Sequence, residues 1–443
     1  MTRSPLAQPR WPNGSLTNTG AGVSLVPIDI GHEDYTCLLD PDTAFWTLIE
    51  KGRLAEMLED STLMRQYRKK APSFRAEVDT LRFGNRPSCV YVNITERCNL
   101  NCTYCYIPED MRRGGHSMSR QRLTDALTII ADSLRQKLPA GITPQIIFHG
   151  AEPMMNREVL FAAIEQFSNR FLFGVQTNAT LLDQEAISFL THQGVSIGLS
   201  LDAPNATVSD HTRKTWNGTG VSQHVRRAMR QLQGYENWSV ISTITSKNLT
   251  SLSRLVELFH AEGVPTCMLN AVRCTLPGAR EIKPNDTAAE RAYLKALDRS
   301  RKLYEQTGRK LVVANFANIL LAIVAPSARR LMCDISPCGG GRCFFALAPN
   351  GDAFPCSEFI GLKEFRGGNI FKTSIDDIME SKPFRRVTER SIEAIEPCKR
   401  CAIRHFCGSP CPAEAHQMHG AMNTPGAFCG FYEEQVRYAF RTI

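Results

Sequence analysis

The sequence has no apolar run approaching the roughly 20 residues that a membrane-spanning helix needs, which argues against a membrane protein of that kind. It holds no internal repeat, no low-complexity block and no long block of like charge. Its formal net charge is only +8 over 443 residues. The local run Arg65-Gln66-Tyr67-Arg68-Lys69-Lys70 reads first as a solvated helix face, and secondly as a contact for an acidic peptide or nucleic acid. No nucleic-acid or membrane partner is expected. Residues 1–22 are rich in Pro, Ser, Thr, Asn and Gly and lack the compact apolar core of a signal peptide, so they read as a disordered tail. Without a secretory signal, triplets such as Asn93-Ile94-Thr95 and Asn178-Ala179-Thr180 carry no glycosylation meaning, and a cytoplasmic location is expected. In that setting the sixteen cysteines read as metal ligands rather than as a disulfide scaffold.

The most informative cysteines are Cys98-x3-Cys102-x2-Cys105, directly after the apolar run 88–95. Three thiolates in one short loop suit three corners of a cubane iron–sulfur cluster. No fourth cysteine follows at a matching distance, so one iron stays open for a small molecule. A three-cysteine zinc or redox site is the alternative. The stretch from Glu96 through Cys98, Asn99, Leu100, Cys102, Tyr104 and Cys105 to Tyr106 resembles the signature of the radical S-adenosylmethionine (radical SAM) enzymes. That resemblance implies that the open iron chelates the amino and carboxylate groups of S-adenosylmethionine, and that one electron cleaves this cofactor to a 5′-deoxyadenosyl radical. It also implies that Tyr104 packs near the adenine; ordinary loop packing is the competing reading.

Strand-like runs at 88–95, 145–149, 171–177, 195–201, 239–245 and 265–270 alternate with helix-like runs at 119–138, 157–170, 183–192, 221–232 and 249–260, with Ser119 and Asp183 as N-caps. This order predicts an α/β fold with a parallel sheet. Six units are too few to close an eight-stranded barrel, so a partial (β/α)6 barrel is expected, as the resemblance also implies. Ligands gather beyond the C-terminal ends of such strands. Gly150-Ala151-Glu152-Pro153 falls there and resembles the family's Gly-Gly-Glu-Pro turn, which holds the methionyl amino group. Alanine replaces the second glycine, tolerable only where that residue needs no positive φ. Ser200 and Asp202 resemble the ribose-contacting pair. Arg213, in Asp210-His211-Thr212-Arg213, resembles the arginine that reaches the cofactor carboxylate, or else is a surface charge. Gln176 and Asn178 line the same rim or simply end a strand in water.

Beyond residue 331 the texture turns to cysteine, glycine and proline, a composition commonly stapled by metal. Cys398-x2-Cys401-x5-Cys407-x3-Cys411, then Cys429, follow Cys338, Cys343 and Cys356. On spacing alone, structural zincs fit equally well. The pattern resembles the SPASM extension of radical SAM enzymes, which implies two auxiliary 4Fe–4S clusters and three in all. By that resemblance Cys338, Cys343, Cys356 and Cys411 hold the first, with Cys333 a competing ligand. Cys398, Cys401, Cys407 and Cys429 hold the second. Cys37, Cys89, Cys267 and Cys274 read as small buried hydrophobes.

The expected organisation is a tail (1–22), a small N-terminal module (23–87), the partial barrel (88–275), a helical bridge (276–330) and a cysteine-rich iron–sulfur domain (331–443). The N-terminal module is either a structural cap or a binder of a leader peptide by strand addition. The resemblance implies a maturase that abstracts hydrogen from a residue of a ribosomally made precursor peptide, giving a crosslink or another edit, with a low-potential flavodoxin- or ferredoxin-type electron donor. Maturation of a larger protein or of a peptide-derived redox cofactor is the second enzyme reading; a zinc-stapled binding protein is the non-catalytic one. Sulfatase-maturing members carry a basic aspartate after the cysteine matching Cys356. Serine at 357 is a poor proton acceptor, which disfavours that reaction. No catalytic side chain is assigned.

Overall fold

A computed structural model of the protein describes residues 17–18, 24–54, 56, 62–407 and 411–443. The chain forms two compact units. One comprises the described residues up to Gly84 with Asn315–Gly339 and Glu389–Ile443; the other comprises Asn85–Ala314 with Gly340–Thr388. The cysteine-rich stretch after 331 thus contributes to both. Of the expected tail, only Thr17 and Asn18 are among the described residues. No helix among those residues is long and apolar enough to cross a membrane.

In the first unit, β1 (Thr17–Asn18), β2 (Ser24–Ile28), β3 (Tyr35–Leu39) and β4 (Trp46–Glu50) form an antiparallel sheet in sequence order. The helix Thr62–Phe83 presents Met64, Tyr67 and Ala71 from one face to Leu25, Leu38 and Ile49, because residues three and four apart share a helix face. Tyr67 breaks the basic run: its ring is 2% exposed, stacks on Phe45 at 3.9 Å and bonds through its hydroxyl to Asp40 and Thr43. Only Arg65, Lys69 and Lys70 of the run's cations are exposed, as a solvated face requires. The N-terminal segment shares its unit with C-terminal elements. Trp46 Nε1 donates to the Ile323 carbonyl at 2.8 Å, and its ring meets Phe440 edge-on at 5.5 Å.

The second unit is built on β5 (Cys89–Val92), β6 (Gln145–Phe148), β7 (Leu172–Thr177), β8 (Ser196–Ser200), β9 (Trp238–Ile244) and β10 (Thr266–Ala271). These six pair in sequence order, all parallel, the series the sequence alternation predicts. Helices Arg120–Lys137, Arg157–Phe167, Gln184–His192, Ser222–Gln231 and Leu252–Ala261 connect them. Ser119 and Asp183 act as N-caps, accepting from the backbone of Arg122 and Ala186. The short β11 (Val312–Val313) extends the parallel series beyond β10.

At the other edge the structure adds what the sequence did not suggest. β12 (Phe344–Leu347) pairs parallel with β5, and β13 (Asp352–Phe354) and β14 (Gly368–Asn369) continue antiparallel. β5 therefore lies inside a ten-stranded sheet. Alternate residues divide the six strands into two faces. Val90, Val92, Ile146, Phe148, Val175, Ile197, Leu199, Val240 and Leu269 are fully buried. Tyr91, Ile147, Gln176, Ser200, Ile241, Thr243, Met268 and Asn270 are only half-buried, so the opposite face is more open and mixes apolar with polar side chains.

Candidate functional site: a cysteine loop on the rim of the parallel sheet

The loop carrying Cys98, Cys102 and Cys105 leaves β5 and is braced on two sides. On one side Cys98 N–H donates to the Arg112 carbonyl at 3.0 Å, and Glu96 N–H to that of His116 at 2.9 Å. On the other, Asn101 and Thr103 donate to Lys214 and Thr212 at 2.7 and 3.0 Å, and Trp216 Nε1 donates to the Cys98 carbonyl at 2.8 Å. Arg112, 7% exposed, gathers the loop from beneath. Its guanidinium donates to the carbonyls of Ile107 and Leu100 and to Asn101 Oδ1 at 3.0–3.1 Å. Sequence reasoning missed Arg112 and Trp216, because neither sits in a spaced motif.

Burial pushes the Cys98 thiol up to about 12 and Cys105 to about 11, with the neighbouring thiols adding to the effect. Three mutually repelling thiolates in such a place need a strong cationic centre to become ligands. That donor set fits an iron–sulfur cluster. Among the described residues no group of three His, Cys, Asp and Glu side chains is arranged to hold a single metal ion, whereas a cubane distributes its thiolates over separate irons.

Glu152 is fully buried at the end of β6. It accepts from Met154 N at 3.0 Å, Thr177 Oγ1 at 2.7 Å and Asn178 N at 2.8 Å, leaving one of about four carboxylate acceptor sites. Burial raises its pKa against the pull of those hydrogen bonds. Ala151 takes φ 49 and Gly150 φ 80. The turn thus puts alanine in the left-handed region, the conformation in which its methyl is not innocuous. Gly150 is required by crowding, because a Cβ there would lie 2.1 Å from Asn93 Nδ2.

Tyr104, Asp202 and Arg213 close on one another. Tyr104 donates to Asp202 Oδ2 at 2.5 Å, Arg213 Nη1 donates to the Tyr104 hydroxyl, and Arg213 and Asp202 stand 4.0 Å apart. Asp202 Oδ1 also accepts from Thr243 N at 2.9 Å. Arg213 is 9% exposed and is not a surface charge; its Nε is buried without a hydrogen-bond partner among the described residues. Asn178 bonds Asn99 Oδ1 at 2.9 Å, tying the end of β7 to the cysteine loop. Gln176 and Ser200 lie half-buried on the open face, with no side-chain hydrogen bond to a described residue.

In the first unit, Cys398, Cys401, Cys407 and Cys429 line one cavity with Ile392, Ile403 and Pro425. Burial pushes the Cys401 thiol up to about 12. Cys338 and Cys411 belong to the same unit, and with Cys398 they surround the buried Arg390, which donates to the Met422 carbonyl at 2.9 Å. Cys343 and Cys356 belong to the second unit. There Arg342 donates to Cys343 Sγ at 3.3 Å, and Gly351 turns the β12–β13 hairpin at φ 86. Cys333 is exposed. Cys37, Cys267 and Cys274 are buried, whereas Cys89 is only half-buried, at the start of β5.

Residues 92–259 match the radical SAM superfamily, and residues 338–402 match SPASM, an iron–sulfur cluster-binding domain. An uncharacterized protein of Archaeoglobus fulgidus is 39% identical over 405 residues, 91% of each chain. The cysteine-type anaerobic sulfatase-maturating enzyme of Clostridium perfringens is 23% identical over 361 residues, 77% of this chain and 93% of that one. The solved structure of anSMEcpe with bound AdoMet and Cp18Cys peptide superposes with a TM-score of 0.68 at 19% identity, covering 80% of this chain and 98% of that one. The protein belongs to the radical SAM superfamily and is an enzyme of the group that carries a SPASM domain. Its cofactors are S-adenosylmethionine and 4Fe–4S clusters.

Proposed function

We propose that the enzyme is a peptide maturase that abstracts hydrogen from one residue of a ribosomally made precursor peptide, leaving a crosslink or a similar edit. The observation that carries this reading is the braced three-cysteine loop at the rim of a sheet whose open face is half-buried and offers both apolar and polar side chains. That face is suited to receiving a peptide segment beside a cofactor. Bound at the loop, S-adenosylmethionine supplies a 5′-deoxyadenosyl radical. The chain's task is to hold one C–H bond against it and keep water away.

Cys98, Cys102 and Cys105 are the ligands of the first of three clusters. Glu152, the Gly150–Ala151 backbone, Gln176, Asn178 and Ser200 border the cofactor. Arg213, through its unpaired Nε, suits the cofactor carboxylate, while Tyr104 and Asp202 hold Arg213 in place. The auxiliary sets are those of the SPASM resemblance: Cys338, Cys343, Cys356 and Cys411, then Cys398, Cys401, Cys407 and Cys429. The shared cavity supports the second set. A reduced flavodoxin or ferredoxin is the electron donor.

Likeness to a sulfatase-maturating enzyme supports a second reading, a larger protein substrate; Ser357 and Glu358 in place of a single aspartate weigh against the same oxidation. The test is co-expression with short peptides encoded beside the gene, followed by mass spectrometry. Loss of two hydrogens indicates a crosslink, and unmodified peptides throughout defeat the peptide reading. Cys102→Ala abolishes release of 5′-deoxyadenosine; a variant that still cleaves the cofactor overturns the ligand assignment.

A further inference from the structure

We propose that Tyr106, His149 and Asn93 form a substrate subsite that grips a neutral amide group of the peptide next to the reacting residue. The inference rests on the peptide-maturase reading and names what the open face recognises. Tyr106 follows the last loop cysteine, and its ring stacks on His149 with centroids 6.4 Å apart and planes 13° apart. His149, at the end of β6, meets Tyr91 of β5 edge-on at 5.6 Å, and Tyr91 meets Phe344 of β12 edge-on at 5.4 Å. An aromatic wall therefore crosses three adjacent strands beside the cysteine loop.

Three polar atoms in this wall are buried without a hydrogen-bond partner among the described residues: Tyr106 Oη, His149 Nδ1 and Asn93 Oδ1. Nine in ten buried polar groups find a partner, and an orphan is destabilising until one arrives. Three such orphans on neighbouring positions of one open face are a built site that a ligand completes. The placement of Asn93 is held by the fold, since the absence of a Cβ at Gly150 makes room for its amide. Of the groups argued to border the cofactor, Gln176, Asn178 and Ser200 lie at the ends of β7 and β8, while this wall runs from β6 through β5 to β12; the Gly150–Ala151 turn adjoins both.

The chemistry of the wall selects the ligand. A phenol, an imidazole and a carboxamide offer donors and acceptors with no formal charge. Burial pushes the His149 imidazole down to about 4, so it is neutral at ordinary pH; Glu358 and the thiols of Cys105 and Cys356 are the ionisable groups that face Tyr106, along with Tyr91. A peptide amide brings an N–H for the acceptors and a C=O for the hydroxyl. A carboxylate would meet Glu358 and the aromatic faces without a counter-charge, and an ammonium, which only donates, would bring no acceptor for the Tyr106 O–H.

The experiment uses full-length, cluster-loaded enzyme with dithionite and S-adenosylmethionine. Two probes are compared, N-acetylalanine N′-methylamide and its methyl ester, each with a deuterated alanine methyl group. The wild-type enzyme is expected to place deuterium in 5′-deoxyadenosine at least about tenfold more from the amide than from the ester. Tyr106→Phe and His149→Phe are expected to bring that ratio near one, and His149→Gln, which keeps a donor and an acceptor, to retain it. Iron content read on the same samples separates a lost subsite from a lost fold. Equal transfer from both probes by the wild-type enzyme, or no transfer from the amide, overturns the subsite. So do phenylalanine variants that keep both their iron and the ratio. A wild-type enzyme that releases no 5′-deoxyadenosine at all instead overturns the maturase reading and takes the subsite with it.

Discussion

Ala151 sits at φ 49 in a turn beside a buried carboxylate, a conformation that L-residues with a Cβ adopt at a cost of about 1–2 kcal/mol. Ala151→Gly relieves that strain while loosening the unfolded chain, so a net stabilisation of about 1 kcal/mol is expected, read as a raised denaturation midpoint. Gly278 shows the opposite constraint. A Cβ there would lie 2.5 Å from the Thr103 carbonyl, inside the cysteine loop, and that backbone has nowhere to move. Gly278→Ala is expected to lower the iron bound by the first cluster, measured as iron per chain after anaerobic reconstitution. Tyr104→Phe removes the hydroxyl that lies between Asp202 and Arg213. Leaving those buried groups short of a partner costs about 1–3 kcal/mol, and cofactor binding is expected to weaken about tenfold by titration.

At the scale of elements, the six strands from β5 to β10 were legible because they are short runs rich in buried aliphatics that alternate with helix-like runs, two of which open on a side-chain N-cap at Ser119 and Asp183. β12 was not legible. Phe344-Phe345-Ala346-Leu347 is buried on both faces, has no alternation, and finds its partner in β5 far back in the chain. The site divides in the same way. The cysteine loop and Glu152 could be found from spacing. The closure of Tyr104 on Asp202 and Arg213 could not, because only the parallel register brings the ends of β5 and β8 to one rim. Arg112 gave no signal either, since its role lies in three loop oxygens rather than in a motif. Arg112→Met is expected to leave those oxygens without their donor and to speed cluster loss, followed as decay of absorbance under a mild chelator.

At the scale of the whole molecule, two imidazoles link folding to pH. Burial holds His149 down to about 4, and burial with the nearby Arg82 and Arg404 holds His405 to about 3. Both lie below the usual value for an unfolded histidine, about 6.5. Between roughly pH 6 and 4 the unfolded chain therefore binds more protons. Stability falls on acidification, by up to about 1.4 kcal/mol per pH unit for each group. Denaturation midpoints measured across that range should show the slope, and His405→Gln should reduce it. Strand order also sets which fragments survive. A piece ending near residue 330 strips β12 from β5 and exposes a sheet edge, so 85–330 is expected to aggregate where 85–388 stays monodisperse on gel filtration. Because β5 gains its second neighbour from β12, the cysteine loop emerges from the ribosome long before the flanking strand has been translated. Loading of iron and sulfide onto that loop is then a late, post-translational event, and cells that starve of iron should accumulate finished but empty chains rather than half-made ones.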